Sequence, residues 1–233
     1  MLDFALPPRC AGCGTIIDEV DGFCGECWLT LDWLGTAGCE RCGLPLEASE
    51  ATECGRCLAA PLPIDRMRAA VAYGPLSRVI ALKLKYGRKV ALARTMAHYM
   101  EPLLGPDTAD ALLVAVPLHR SRLWQRGFNQ SALVAREIAK RTGLGHAPRA
   151  IRRTKRTPPL KGMSLLQRRK AMAGAFSVDP AMDLQGRTVV LVDDVLTTGS
   201  TANACARALT RAGVGRVELL TWARVVRPAQ FSQ

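Results

Sequence analysis

The sequence predicts an α/β protein, with a doubly wound parallel sheet preceded by a small metal-binding module. Three observations support this fold class. Short apolar, β-branched runs alternate with helical patterns through most of the chain. One such run, 189–192, leads directly into two acids and a hydroxyl-rich turn, and eight of the nine cysteines lie in residues 10–57. In a chain of 233 residues, we expect the module over 1–60 and the α/β domain over 64–233.

The cysteine-rich segment has the spacing of a zinc-binding module. Four C-x-x-C pairs follow one another at intervals of 10, 11 and 11 residues. Because two such pairs complete one tetrahedral Zn²⁺ site, four pairs predict two structural zinc ions. A disulfide framework is the weaker interpretation for a chain that we expect to be cytoplasmic. The predicted ligands are Cys10, Cys13, Cys24, Cys27, Cys39, Cys42, Cys54 and Cys57.

Spacing alone leaves the pairing of the four knuckles open. Sequential pairing would give one site from the first two knuckles and one from the last two, whereas a cross-brace would interleave them. We favour sequential pairing because residues 29–33 have the character of a segment connecting two ribbons. The module could contact nucleic acid or protein, or it could only brace the neighbouring domain.

The α/β domain is predicted to begin near residue 64, after a proline-containing linker. Apolar periodicity and Gly/Pro punctuation place its elements. The predicted strands are 69–73, 112–116, 189–192 and 216–222, and the predicted helices are 77–86, 89–104, 130–141 and 202–212. No apolar run is long enough for a membrane span, and no secretory leader is evident, so a cytoplasmic protein is expected.

The segment 188–203 combines a buried strand, an acidic pair and a turn that enters a helix. Asp193 and Asp194 follow the strand, at the edge where open α/β sheets bind ligands. The turn aims free N–H groups and the positive end of the helix dipole outward, which suits a phosphate. The candidate phosphate residues are Thr197, Thr198, Gly199, Ser200 and Thr201. Together these features predict a sugar-phosphate site; the alternative is an ordinary acidic strand end with a hydroxyl-rich helix cap.

A second loop at the same edge of the sheet is basic. It follows the strand 112–116 and consists of Pro117, Leu118, His119 and Arg120. The guanidinium of Arg120 offers fork-shaped donors to phosphate oxygens, and Asn129 or Gln130 could cap the helix that follows. We therefore predict a pyrophosphate-binding loop here, although a lone histidine in a loop is more often only solvated.

The net charge of +12 comes from one segment. Residues 117–170 contain 15 Lys and Arg against the single acid Glu137, so the other residues sum to −2. This distribution predicts a polyanionic partner. Within it, 149–170 is interpreted as a mobile basic loop and short helix over the site, or alternatively as a solvated linker. The candidate basic and nucleic-acid-binding residues are Arg126, Arg152, Arg153, Lys155, Arg156, Arg168 and Arg169.

Two motifs resemble known families. The run VVLVDDVLTTGSTA resembles the phosphoribosyl pyrophosphate (PRPP) signature of type I phosphoribosyltransferases. That resemblance implies that Asp193 and Asp194 bind the ribose 2′- and 3′-hydroxyls, that 197–201 hold the 5′-phosphate, and that Mg²⁺ accompanies PRPP. The run VPLHRSRLWQRGFNQ, together with the cysteine module, is similar to the ComF family, whose layout agrees along the whole chain. Leu160 and Ala171 depart from that family's pattern.

The resemblance also implies a role in DNA uptake and natural transformation. Single-stranded DNA and competence-machinery proteins, such as a DNA-uptake helicase, are the implied partners. Three hypotheses remain open at this point. The chain could be a phosphoribosyltransferase, a non-catalytic single-stranded DNA-binding protein with a sensing or vestigial PRPP pocket, or a docking adaptor that works through its zinc module. Trp124 and Phe128 are the nearby stacking candidates, which is weak support for base stacking.

Overall fold

The structure is a computed structural model that describes residues 7–46, 51–60, 62–87, 89–155 and 163–226. The strands are β1 (Arg66–Ala72), β2 (Leu112–Ala115), β3 (Gly145–His146), β4 (Ile151–Arg153), β5 (Phe176–Val178), β6 (Thr188–Leu196) and β7 (Arg216–Arg224). The α-helices are α1 (Gly25–Leu29), α2 (Gly55–Ala59), α3 (Pro75–Tyr86), α4 (Leu92–Met100), α5 (Arg120–Arg126), α6 (Gln130–Thr142), α7 (Leu165–Met172) and α8 (Ser200–Arg211). Two short 3₁₀ turns follow α4.

The main sheet has five strands, all parallel, in the order β1-β7-β6-β2-β3. Helices α3, α4 and α6 cover one face, where Met96, Ile138 and Trp222 are fully buried. On the other face, α8 packs together with residues of α7 and of the antiparallel pair β4 and β5. The predicted fold class, a doubly wound parallel sheet with a cysteine-rich module, is confirmed.

Strand β6 is longer than predicted and contains the acidic pair. The expected strand was 189–192, with both acids in the turn after it. Instead β6 continues to Leu196, because β7 remains paired alongside it, with Asp193 opposite Thr221 and Val195 opposite Ala223. Asp193 and Asp194 therefore lie within β6, near the carboxyl edge of the sheet.

Two basic segments are more ordered than predicted. The residues after Pro117 were expected to form a loop, but Arg120–Arg126 form α5, with His119 at its N-cap and Gly127 at its C-cap. In the segment 149–170, which was expected to be a mobile loop and a short helix, Leu165–Met172 form a short helix, α7, and Ile151–Arg153 pair antiparallel with Phe176–Val178. Residues 156–162, which include Arg156, lie outside the described part of the chain.

The cysteine module docks on the open edge of β1. The backbone N–H of Leu34 donates to the Ala70 carbonyl at 3.0 Å, and the Ala72 N–H donates to the backbone carbonyl of Asp32 at 2.8 Å. Nearer the start of the strand, the Met67 N–H donates to the Arg41 carbonyl at 2.7 Å. Both halves of the module therefore satisfy backbone groups that an edge strand would otherwise expose.

Across the described residues, no helix combines the length and the apolar character needed to cross a membrane.

Candidate sugar-phosphate site and zinc centres

The eight cysteines of the module form two groups of four. One group is Cys10, Cys13, Cys24 and Cys27, the other is Cys39, Cys42, Cys54 and Cys57, and within each the sulfur atoms lie within 4.8 Å of one another. A zinc ion about 2.3 Å from four tetrahedral sulfurs separates them by roughly 3.8 Å. The Sγ atoms of Cys13 and Cys24 are 3.6 Å apart, and those of Cys42 and Cys54 are 3.7 Å apart. Both groups fit zinc, and sequential pairing is confirmed.

Backbone N–H groups surround one sulfur in each group. The Cys24 N–H points to Cys10 Sγ at 3.3 Å, and the N–H groups of Cys42 and Cys54 point to Cys39 Sγ at 3.4 and 3.3 Å. Burial raises the pKa of the Cys10 thiol, but these donors outweigh it and lower that pKa to about 6. The same balance lowers the pKa of Cys39 to about 7. Cys10 and Cys39 therefore favour the thiolate form that ligates zinc. Burial and the neighbouring cysteines instead raise the pKa of Cys27 to about 12 and that of Cys57 well above its ordinary value.

The acidic pair on β6 is held by two helices. Asp193 Oδ1 accepts hydrogen bonds from Ser131 Oγ and from the Asp194 backbone N–H, both at 2.9 Å. Asp194 is buried and forms an ion pair with Lys85 near the end of α3. Burial, followed by the charge of Asp194, raises the pKa of Asp193 to about 7, against the lowering effects of Lys85 and Ser131. Asp193 therefore keeps its proton to a higher pH than an ordinary aspartate.

Sequence reasoning missed the partners of the acids. Lys85 was placed on a predicted helix without a role, and Ser131 was not singled out. No motif marks Lys85, because only the packing of α3 against the sheet brings it to Asp194. Ser131 could have been found from the sequence, because it lies two residues after Asn129, a predicted helix cap. Asn129 is the N-cap of α6, accepting from the Ser131 N–H at 3.1 Å and donating to the Val116 carbonyl at 3.0 Å.

The turn after β6 has the geometry expected for a phosphate loop. Gly199 occupies the N-cap of α8 with φ +73°, which favours glycine, and no side chain caps this helix. The hydroxyl oxygens of Thr198 and Ser200 are 3.0 Å apart. Thr197 is exposed, and Thr201 lies in the first turn of α8. The first N–H groups of a 12-residue helix are therefore left without a side-chain acceptor.

The predicted pyrophosphate loop lies at the same carboxyl edge. Pro117 and Leu118 follow β2, and the Ser121 N–H donates to His119 Nδ1 at 3.3 Å, which makes His119 a helix cap rather than only a solvated side chain. Arg120 is exposed at the first position of α5. An isolated parallel bridge joins His119 to Arg153, which brings the end of β4 beside this loop.

The basic candidates differ in their surroundings. Arg126 lies over the Tyr86 ring at 4.8 Å and donates to Tyr86 Oη at 2.9 Å. Arg152 is exposed and paired with Asp179, while Arg153 is half-buried, 5.7 Å from the Phe176 ring centroid. Arg168 and Arg169 lie on α7, Lys155 is exposed, and Arg156 falls outside the described residues.

This fold and site define a class of protein, a phosphoribosyltransferase-type α/β domain joined to a double zinc module. A double zinc ribbon domain model matches residues 1–58, and a phosphoribosyl transferase domain model matches residues 132–229. The DNA utilization protein YhgH of Escherichia coli O157:H7 is 34% identical over 187 residues, covering 78% of this chain and 81% of that protein. Competence protein F of Haemophilus influenzae is 30% identical over 229 residues, covering 93% and 96%. The chain belongs to the ComF family, as its motifs predicted.

Solved structures with similar folds include adenine phosphoribosyltransferase from Thermoanaerobacter pseudethanolicus. It aligns at 18% identity with a TM-score of 0.38, over 59% of this chain and 82% of that chain.

Proposed function

We propose that the chain binds PRPP with Mg²⁺ at the carboxyl edge of β6 and β2 and transfers its phosphoribosyl group. The observation that supports this most strongly is the acidic pair on β6, followed at Gly199 by the N-terminus of α8, which no side chain caps. Carboxylates that can accept hydrogen bonds from sugar hydroxyls, and backbone N–H groups that can donate to a phosphate, then lie on one strand–turn–helix segment, as a sugar phosphate requires. A role in DNA uptake is proposed on the names of the relatives alone.

The proposed roles follow from the positions of the side chains. Thr197, Thr198, Gly199, Ser200 and Thr201 would hold the 5′-phosphate, and Asp193 and Asp194 would accept bonds from the ribose hydroxyls. Carboxylate oxygens also suit Mg²⁺, which would neutralise charge on the pyrophosphate. Arg120 would stabilise the pyrophosphate as the C1′–O bond breaks and the pyrophosphate leaves with the bonding electron pair. The acceptor forms the new bond to C1′ and loses a proton to water.

Calorimetric titration with Mg²⁺–PRPP tests this proposal. Wild type should bind, and Asp193→Asn and Asp194→Asn should each lose most of the affinity. Asp110→Asn is a matched control, since Asp110 is exposed just before β2, at the opposite end of the strand. Absence of binding to the folded, zinc-loaded wild type would overturn the transferase proposal.

Single-stranded DNA binding is a second candidate function, supported by one observation on α5. Trp124 is 89% exposed on this helix, which also contains Arg120, Arg122 and Arg126. A base can stack on an exposed indole while guanidinium groups contact the phosphates. The names of both relatives, which refer to DNA utilization and competence, agree with this proposal.

Fluorescence anisotropy with a labelled oligonucleotide tests this second function. Trp124→Ala should weaken binding about tenfold or more, and Arg122→Gln should flatten the salt dependence. Arg78→Gln, on the exposed side of α3, should change neither. If Trp124→Ala binds as wild type does, α5 is not the binding surface.

A docking role for the zinc module is a third proposal, for which no partner is evident. A pull-down of competence-machinery proteins that survives deletion of residues 1–60 would argue against it.

A further inference from the structure

Two arginines of the α/β domain end at a zinc knuckle. Among the described residues, the buried arginines are Arg68 on β1 and Arg224 on β7, at 6% and 7% exposed. Arg68 Nη1 donates to the backbone carbonyls of Cys39 at 3.3 Å and Glu40 at 2.9 Å. Arg224 Nη1 donates to the backbone carbonyl of Cys42. Both guanidinium groups therefore lie against the 39–42 knuckle, which supplies two ligands of the second cysteine group.

The charge of a zinc centre explains the position of these two arginines. Within the described part of the chain, neither forms an ion pair with a carboxylate. A buried charge without a partner is strongly destabilising. A zinc ion with four thiolates has two negative charges in excess. Because Cys39, Cys42 and Cys57 are buried, water screens this excess only weakly. Two buried guanidinium groups beside the knuckle match it in charge.

The first cysteine group lies in a different environment. Cys13 is exposed, and Cys24 and Cys27 are half-buried, so water screens the charge of this centre. A cation also reaches its knuckle, since Lys83 Nζ donates to the Gly12 carbonyl at 2.8 Å, but Lys83 is only half-buried. The second centre therefore depends on buried cations of the α/β domain more than the first does.

Arg224 also borders the phosphate loop. In the pairing of β6 with β7 it lies opposite Leu196, the last residue of β6, and the Val225 N–H donates to the Leu196 carbonyl at 2.9 Å. The loop begins at the next residue, and its residues 197–199 line one narrow gap together with Arg224 and Cys42. One residue thus contacts the zinc knuckle through its side chain and supports the start of the phosphate loop through its strand.

We propose that Arg68 and Arg224 are the counter-ions of the second zinc centre, and that Arg224 makes the conformation of the phosphate loop depend on that centre. With zinc bound, the guanidinium of Arg224 is held at the knuckle, and the end of β7 is held with it. When this zinc is lost, the guanidinium loses its compensating charge and moves toward water, and the loop loses support. Loss of the first zinc leaves the contact in place. The consequence for PRPP rests on the proposed function, whereas the counter-ion role does not.

Zinc release to an excess of a colorimetric chelator tests the counter-ion role on the full, zinc-loaded chain. Arg68→Met and Arg224→Met should each release one of the two ions about tenfold faster or more, as loss of a group supporting a metal ligand does. Arg224→Lys, which keeps the charge, should recover part of the retention. Arg78→Met, an exposed change of equal charge on α3, should release both ions as wild type does.

A second background shows which ion responds. Cys57→Ser should keep only the ion of the first group, and adding Arg224→Met to it should leave the release of that ion unchanged. Wild-type release in both Arg68→Met and Arg224→Met would overturn the counter-ion role. Equal losses in Arg224→Lys and Arg224→Met would also overturn it, because a role in packing alone gives no recovery with charge.

Amide hydrogen exchange of the phosphate loop tests the coupling without PRPP. Exchange at residues 197–201 should be about tenfold faster or more in Cys57→Ser, and close to wild type in Cys13→Ser, which removes a ligand of the first group. Mg²⁺–PRPP titration should show the same order of affinities. Equal exchange in the two variants overturns the coupling. If wild type binds no PRPP but its loop still exchanges faster only in Cys57→Ser, the coupling stands and the proposed function falls.

Discussion

Lys85, at the end of α3, forms an ion pair with Asp194 on β6 and so ties a covering helix to the proposed sugar-phosphate site. The Asp194 side chain is 5% exposed and that of Lys85 21%. Two charges in this environment are stabilised mainly by each other.

Replacing Lys85 with methionine should therefore destabilise the protein. The buried carboxylate of Asp194 loses its ion pair, and we expect a loss of about 2–4 kcal/mol in the free energy of unfolding. Urea denaturation measures this, with the exposed Lys89→Met as the control. The double variant Lys85→Met/Asp194→Asn should lose less than the two single variants added together. Additive losses would mean that the pair contributes no coupling energy.

Stability should depend on pH through Asp193. Burial and the Asp194 charge raise the pKa of Asp193 to about 7, so the folded protein holds a proton that the unfolded chain releases above about pH 4. The stabilisation that comes from protonated Asp193 is fully present below the unfolded-state pKa, and it is lost as the pH rises to about 7. Denaturation of wild type and Asp193→Asn from pH 4 to pH 8 should show the wild type losing stability relative to the variant. A constant difference would contradict the raised pKa.

Zinc should be bound at two ions per chain, and its removal should unfold the ribbons. Elemental analysis of Cys57→Ser should find about one ion, since only the second group loses a ligand. Cys205→Ala is the control. Cys205 is fully buried on α8, outside both cysteine groups, and its loss should leave both ions in place. Two retained ions in Cys57→Ser would contradict the ligand assignment.

Gly199→Ala should weaken PRPP binding and lower stability by about 1 kcal/mol, because φ +73° strains any residue with a Cβ. Gly25→Ala is the matched control. It lies in α1 without positive φ, and an added Cβ would meet no atom within 4 Å. Thermal melts and PRPP titration provide the two measurements. An effect of equal size in both variants would assign no special role to the Gly199 conformation.

Asn129→Ala should also reduce both stability and PRPP affinity. Its side chain joins β2 to α6 through Val116 and Ser131, and loss of a helix cap costs about 1 kcal/mol. Ser131 would then hold Asp193 less firmly. Asn129→Ser, which keeps a capping oxygen, should recover part of the stability. Equal melting temperatures for wild type and Asn129→Ala would refute the cap assignment.

The features that sequence reasoning located were those determined by local chemistry. The C-x-x-C spacing predicted both zinc groups, and the run around Asp193 and Asp194 predicted a strand, a turn containing Gly199 and a helix. What it missed depends on tertiary packing. The pairing of β6 with β7 extended the strand past the acids, and the ion pair of Lys85 required α3 to lie on the sheet.

The basic segments were predicted less well for a related reason. High positive charge and the prolines near residue 158 favoured loops over regular structure. Helix α5 nevertheless forms, because His119 caps its start and Gly127, with φ +80°, ends it. The contact of Arg224 with the Cys42 carbonyl could not be predicted at all, since the two residues are 182 positions apart in the chain.

The docking of the zinc module on β1 has a consequence for the solubility of this protein in a cell. The opposite edge strand, β3, is only two residues long and offers little to a neighbouring chain. Strand β1 has seven residues, with an apolar interior, and residues of the module occupy its outer hydrogen-bonding groups. Metal starvation or thiol oxidation would uncover that edge, which is then a template for intermolecular strand pairing. Zinc supply would therefore govern the solubility of this protein, through aggregation, as well as the folding of its ribbons.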